Sequence, residues 1–249
     1  MSARVSGALD FLLPDWPAPP RVRALVSTRT GGVSVGPYAA LNLATHVGDE
    51  PQAVAHNRSL LSACLPASPC WLTQVHGCTV VDAGLAGETS EADAACTRQA
   101  GVVCAVMTAD CLPVLFCDRA GSVVAAAHAG WRGLLGGVLE HSLKAMQQQP
   151  GAVMAWLGPA IGQAAFEVGA EVRAAFVARQ AEAAQAFVPG APGKWHADLY
   201  ALARLRLQAA GVSQIFGGGL CTVSEPARFF SARRDGLRSG RMASLIWLD

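Results

Sequence analysis

Charge is scarce in this chain, and what there is nearly cancels. Its 249 residues carry 19 Lys and Arg against 18 Asp and Glu, a formal net charge of +1. That balance argues against a dedicated nucleic-acid or anionic-membrane surface. With 15% charged and 52% hydrophobic residues, the composition excludes disorder as the main state. Long apolar runs are missing as well. Gly, Pro or a polar residue interrupts every stretch before it reaches the roughly 20 residues that span a bilayer. The opening segment, MSARVSGALDFLLPDWPAPPRV, offers one early Arg and a very short apolar stretch before Asp15 and three prolines. A secretion signal needs a longer apolar centre, so the expected location is the cytoplasm. Eight cysteines are present but no CxxC pair, which removes support for a zinc ribbon or a thioredoxin-type site. In a chain this long and apolar they read as thiols, most of them inert and buried.

No internal repeat or low-complexity linker divides the chain, and one domain over 1–249 is expected. The middle reads as β structure, with strands over 101–107, 112–117 and 123–128. The last two flank Asp118-Arg119-Ala120-Gly121, a hairpin turn by its Asp and Gly. Further strands are expected over 22–27, 153–157 and 243–248. Leu135, Leu139, Leu143 and Met146 fall on one helical face. The Ala-rich stretch 171–185 is built from strong helix formers. Asp198 is placed to cap a helix over 198–210, and a Pro/Gly loop over 188–194 precedes it. Mixed helices and strands with a hairpin give an α+β fold, with layered mixed or antiparallel sheets and flanking helices.

Three segments stand out as wrong for a plain core: TQVHG at 73–77, TADCLP at 108–113 and AHAGWRG at 127–133. Each sets one side chain able to bind a metal or act as a nucleophile, namely His76, Cys111 or His128, among small neighbours. If Asp118 and Gly121 face each other across the turn, Cys111 and His128 become cross-strand partners with Cβ atoms ~5 Å apart. Two His and one Cys form a ligand set for a catalytic zinc that keeps a position open. The same three residues, taken singly, read better as packed core side chains; taken together, with the hairpin geometry, they favour the functional reading. Asp110, extended beside Cys111, points to the other face and is placed to orient a neighbouring group. Arg132 opens a helix where an anion such as phosphate is favoured. Arg233, Arg234 and Arg241 form a basic cluster after Phe229 and Phe230, and Arg29 sits in RTGG. His46, between polar turn residues in NLATHVGD, is placed to line a pocket.

These segments, with TRTGGVSVGPYAALNLATHVGD, NRSLL, ADAACT, LGPAIGQAAFEVG and CTVSEPARFFSARRDGLRSGRMASLIWL, run nearly end to end in order. On them the chain resembles the YfiH/PgeF-like family, also labelled polyphenol oxidase, laccase-domain protein or purine nucleoside phosphorylase. The resemblance implies a layered α+β fold like that of certain cysteine hydrolases, and a Zn²⁺ site on His76, Cys111 and His128. It implies phosphorolysis of adenosine, inosine and S-methyl-5′-thioadenosine, and deamination of adenosine. It also implies editing of peptidoglycan precursors by removal of misincorporated serine. Ala232 departs from the family pattern, which often has an aromatic residue there, and bears on a pocket wall.

For the nucleoside reading, Arg29, Arg58, Arg132 and Arg233 are candidates to hold phosphate. Asn42 and His46 are further substrate-binding candidates, and Asp110 and Glu167 are acid–base candidates beside Cys111. The H-x-E and PCxxC signatures of the known zinc deaminases are absent. The peptidoglycan reading makes Cys111 a nucleophile and His128 its base. A multicopper oxidase is rejected, because the chain has six His and no H-x-H pair. A non-catalytic sensor using the same pocket is the remaining alternative. The expected partners are a purine nucleoside and phosphate, in a monomer or homodimer.

Overall fold

The structure is a computed structural model that describes residues 9–87 and 90–249. The first eight residues of the opening segment therefore lie outside the described residues. In chain order the strands are β1 (Phe11–Leu12), β2 (Val22–Ser27), β3 (Val80–Asp82), β4 (Ala94–Thr97), β5 (Cys104–Thr108), β6 (Leu112–Asp118) and β7 (Val124–Ala129). They continue with β8 (Val153–Leu157), β9 (Glu167–Gly169), β10 (Phe187–Pro189), β11 (Lys194–Ala197), β12 (Gln214–Gly217) and β13 (Met242–Leu248). The α-helices are α1 (Pro51–Ser62), α2 (Trp131–Gly136), α3 (Val138–Met146), α4 (Ala170–Arg179), α5 (Leu199–Ala209) and the short α6 (Ala232–Asp235).

The strands form a six-stranded sheet in the order β12-β8-β6-β7-β4-β3, a four-stranded sheet β1-β2-β13-β5 and a small sheet β10-β11-β9. This is the α+β architecture expected from the mixed pattern. The period of two along each strand builds the layers. On β6, Leu112, Val114 and Phe116 face a core shared with Leu139, Leu143 and Met146 of α3 and Leu202 of α5. Leu115 and Cys117 face the opposite way, onto Val26, Val106, Ile246 and Leu248 of the four-stranded sheet. The far face of that sheet, with Leu25, Met107 and Leu245, packs on Leu41, Leu43, Leu61 and Trp71. Burial on both faces is why these strands read as unbroken apolar runs. The alanines of β7 keep its neighbours close, leaving His128 as its one polar side chain, 3% exposed.

The strands over 22–27 and 153–157 lie where the sequence puts them. Four expectations need correction. The strand expected over 101–107 starts at Cys104, because Gly101 (φ 76°) turns to donate its amide to the Leu248 carbonyl. The helix carrying Leu135 to Met146 breaks at Gly137, whose φ of 107° leaves α2 and α3 as two pieces. The Ala-rich helix ends at Arg179, and Ala181–Ala186 continues as a 3-10 helix that buries Ala183 and Ala186, an i,i+3 pair that this tighter helix aligns. The stretch expected to be loop over 188–194 is loop only over 190–193, its ends being strand residues of the β10–β11 hairpin, which pairs from Phe187↔Ala197 to Pro189↔Trp195. Asp198 caps α5 as expected, accepting from the Ala201 amide at 3.0 Å.

The β6–β7 register also differs from the expectation. Leu112 pairs with Ala129 and Pro113 with His128, so the ladder is displaced by two residues from a Cys111–His128 pairing. The cause is the Asp118 carboxylate, which accepts from the Ser122 amide (2.6 Å), the Ser122 hydroxyl (2.7 Å) and the Val123 amide (3.1 Å). It widens the loop to Arg119–Ser122, with Asp118 and Val123 as the closing pair. A slip of two preserves the faces of both strands, so the two side chains still converge. Asp118→Ala should therefore destabilise the fold by about 2 kcal/mol, as it leaves the buried Val123 amide without its acceptor and removes two further bonds to Ser122. Urea unfolding would show a lower midpoint at constant slope; an unchanged midpoint would remove the carboxylate from the hairpin's energetics.

Candidate metal centre

Cys111 directly precedes β6, and His128 sits near the end of β7. In the observed register, the pair beyond Leu112–Ala129 is Cys111–Gly130, and glycine is what the position needs. A Cβ on residue 130 would lie 3.0 Å from both Cys111 Sγ and His76 Cδ2, and 3.6 Å from His128 Nε2. His76 arrives from a loop clamped to β5 by Gln74, whose side-chain amide donates to the Met107 carbonyl (2.9 Å) and accepts from the Met107 amide (2.7 Å). One ligand atom from each of His76, Cys111 and His128 lies within 4.8 Å of the other two. The two imidazoles meet edge-on at 77°, with ring centroids 4.8 Å apart, and Cys111 Sγ lies 3.8 Å from His76 Nε2.

Asp93, which sequence reasoning passed over, organises this group. The successive amides of Val75, His76 and Gly77 all donate to its carboxylate, at 3.2, 2.9 and 2.6 Å. That nest of amides holds His76 at φ 60°, a left-handed conformation that costs a non-glycine residue of order 1 kcal/mol. The same carboxylate accepts from His128 Nδ1 at 2.8 Å, and the Asp93 carbonyl accepts from the His128 amide at 2.7 Å. One fully buried acid thus fixes the backbone of one imidazole and the ring of the other, leaving His128 Nε2 free to face Cys111. The available signal was an acid in the otherwise apolar run Ala92–Cys96.

Electrostatics follow from that contact. Burial pushes the Asp93 carboxyl up, but the hydrogen bonds from His128 and Gly77 outweigh it and hold the acid ionised. Burial pushes His128 down, while the Cys111 thiolate and the Asp93 bond win and carry it up to about 9. Burial likewise raises Cys111, and the His128 charge with bonds from both imidazoles brings it down to about 6. A thiolate–imidazolium pair results at neutral pH. Cys96 and Cys117, with burial and no such partner, are pushed up to about 11 and about 12 and stay inert thiols.

The three side chains line a cavity of about 190 Å³, with His46, Met107, Thr108, Ala232, Leu237 and Arg241 around it. Larger depressions, such as one of about 540 Å³ beside Trp131 and Arg179, lie away from this cluster. Of the other residues singled out from sequence, His46, Ala232 and Arg241 join the cavity. Asp110 (φ 98°) spends both carboxylate oxygens, one on the Thr222 hydroxyl (2.6 Å) and one on the Arg233 amide (2.7 Å). The Arg233 guanidinium reaches the carbonyls of Ala165 and Glu167, and Glu167 itself is an exposed residue of β9. Arg29 bonds the carbonyls of Ala39 and Pro226 and lies 4.7 Å over Phe230. Arg58 bonds the Leu43 carbonyl and stacks 4.3 Å from Trp71. Arg132 stacks on Trp131 and lines the larger depression. Asn42 is fully buried, bonded to Ala44, Asp49 and the Arg241 amide.

Among the described residues, no helix is long and apolar enough to cross a membrane. A family described as multi-copper polyphenol oxidoreductase laccase matches residues 23–249. A Pseudomonas aeruginosa protein named purine nucleoside phosphorylase is 57% identical over 240 residues, covering 96% of this chain and 98% of its own. Escherichia coli YfiH, also named purine nucleoside phosphorylase, is 55% identical over 243 residues, covering 96% and 98%. Among solved structures, a Neisseria meningitidis protein superposes with a TM-score of 0.92 at 57% identity, covering 96% of this chain and 99% of that one. YlmD of Geobacillus stearothermophilus gives 0.88 at 32% identity, covering 100% and 97%.

The ion pair has a direct readout. In metal-free protein, alkylation of Cys111 followed by peptide mapping should switch on as pH rises through about 6, against about 8.5 for an ordinary thiol. Asp93→Asn removes the anion behind His128 and should move that midpoint upward. A midpoint at the ordinary thiol value in the unsubstituted protein would disprove the pair.

Proposed function

We propose that this chain, which belongs to the family described as multi-copper polyphenol oxidoreductase laccase, is a purine nucleoside phosphorylase and not a copper oxidase. The observation that carries the reading is the cavity itself. It joins a His–Cys–His donor set, an arginine and a neutral histidine around a concave space open to solvent. A multicopper oxidase needs a blue-copper site plus a separate, histidine-fed cluster. Among the described residues, this is the one group of three donors close enough to share a metal.

The donors fit zinc. Two imidazoles and a thiolate lie in mutual reach, and the Asp93 bond to His128 Nδ1 is the carboxylate–histidine backing that such ligands use. His76, Cys111 and His128 would hold the ion, which when bound supplies a Lewis acid for a substrate oxygen and a water of lowered pKa. In phosphorolysis, an oxygen of hydrogen phosphate bonds to C1′ as the C1′–N9 bond breaks. The electron pair departs on N9, which takes up the proton the phosphate gives up, so hypoxanthine and ribose 1-phosphate leave in balance. His46 is placed to relay that proton, because burial, then Arg241 and Arg58, lower its pKa and keep it neutral. Asp110 acts by holding the backbone beside Cys111 through Thr222 and Arg233. We extend the substrate range to adenosine, inosine and S-methyl-5′-thioadenosine, with deamination of adenosine at the same site, in the cytoplasm.

One observation favours a second reading. Cys111, His128 and Asp93 stand in the order nucleophile, base and orienting acid. The Cys111 thiolate would attack an amide carbonyl, the His128 imidazolium would protonate the departing amine, and water would then hydrolyse the Cys111 thioester, as in removal of serine from a peptidoglycan precursor.

The test incubates metal-analysed protein with inosine and phosphate beside Cys111→Ala and His76→Ala. Hypoxanthine should form only when phosphate is present, and either substitution should reduce the rate by about 100-fold or more. Zinc-loaded, folded protein that is inert on nucleosides and cleaves muropeptides would replace the first reading with the second.

A further inference from the structure

Resting on the phosphorylase reading, we infer that Arg241, with His46 beside it, forms the subsite for inorganic phosphate. Of the residues lining the cavity, Arg241 is the one with a permanent charge, and no carboxylate shares the wall. Arg29, Arg58, Arg132, Arg233 and Arg234, the other arginines of the sequence pattern, do not line it.

Arg241 is built in firmly. Its amide donates to Asn42 Oδ1 (3.0 Å), and its carbonyl accepts from the Leu43 amide (3.4 Å). Its Nη1 donates to the Ser239 carbonyl (2.7 Å), the Ser239 hydroxyl (3.2 Å) and the Gly240 carbonyl (3.1 Å), and Nη2 reaches the Leu237 carbonyl at 3.4 Å. These are neutral acceptors, and among the described residues no carboxylate bonds the guanidinium. The acids whose charge reaches it are Cys111, Asp110 and Tyr38, and the Tyr38 hydroxyl donates to the Val47 carbonyl. Cys111 is matched by His128, and Asp110 has both oxygens engaged by Thr222 and Arg233. A cation brought into a protein wall without its own anion is costly, and an entering anion relieves that cost. A planar guanidinium with free N–H groups matches a tetrahedral oxyanion in two places at once.

The location suits the chemistry. His46 and Arg241 are close enough for the arginine to depress the histidine's proton affinity, so a phosphate between them meets both a fixed charge and a proton acceptor. Its attacking oxygen then faces the part of the cavity lined by His76, Cys111 and His128. The ribose and base are left the apolar rim formed by Met107, Ala232 and Leu237, of which Leu237 is 81% exposed at the mouth.

Inorganic phosphate, titrated by calorimetry without nucleoside into the unsubstituted protein, Arg241→Gln and Arg241→Lys, reads the subsite directly. On the same proteins, KM is measured for phosphate and for inosine. Arg241→Gln should weaken phosphate binding and raise its KM by roughly 10- to 100-fold, with KM for inosine within about twofold. Arg241→Lys keeps the charge without the fork and should recover part of the loss. The lysine variant also guards against Arg241→Gln simply loosening the Leu237–Gly240 segment, which a melting curve would reveal. Unchanged phosphate affinity in Arg241→Gln overturns the assignment, as does a rise confined to the inosine KM. Arg241-dependent phosphate binding in a protein without phosphorolysis would support the subsite and refute the phosphorylase reading. Phosphorolysis with an unaltered phosphate KM in Arg241→Gln would do the reverse.

Discussion

The buried Asp93 carboxylate is the contact on which the site depends. A fully desolvated acid survives only if its oxygens are filled, and three consecutive amides plus an imidazole fill them. Each partner gains something different. The loop at 75–77 gains a reason to hold a left-handed His76, and His128 gains a fixed ring orientation and a raised proton affinity. Cys111 then titrates low because His128 is charged. A single ionised group, placed behind the His76–Cys111–His128 cluster and out of reach of solvent, thereby sets the geometry of two histidines and the protonation of one cysteine.

Much of the fold was legible because both sheets obey the alternation of buried strands. The strands at 22–27 and 153–157 needed nothing beyond their apolar residues and flanking breaks. Legibility failed where backbone conformation overruled composition. Gly137 splits a helix whose hydrophobic spacing continues unbroken, and the Ala-rich stretch tightens into a 3-10 segment so that Ala183 and Ala186 can be buried together. The hairpin shows a subtler limit. The sequence names an Asp and a Gly at the turn, but how many residues the loop holds depends on which amides the Asp118 side chain captures. The resulting slip of two kept the faces and lost the pairing.

For the site, residue types were readable and arrangement was not. His76, Cys111 and His128 announce themselves by standing among small residues. Asp93 does not, because an acid flanked by alanines carries no label saying that three amides from a distant loop surround it. The arginines mislead in the opposite direction. Arg29 and Arg58 look available and are spent on carbonyls and aromatic faces, stiffening the loop that carries His46. The motif TRTGG with NLATHVGD belongs to that framework. A side chain on Gly32 would collide with the Ala40 carbonyl, and Asn57 ties Ser34, Ala40 and Asn42 into one buried network.

Gly130 leaves the ligands no slack on the side of the sheet, and Gly133 brings α2 equally close to the loop, where a Cβ would lie 2.9 Å from the Gly77 carbonyl. The opposite rim is made of Ala232 and Leu237, which bond nothing in the ligand cluster. The pocket is thus anchored along one wall and free to vary along the other. Substitutions at the rim can reshape the pocket, while the His76–Cys111–His128 cluster tolerates almost no change in its surroundings.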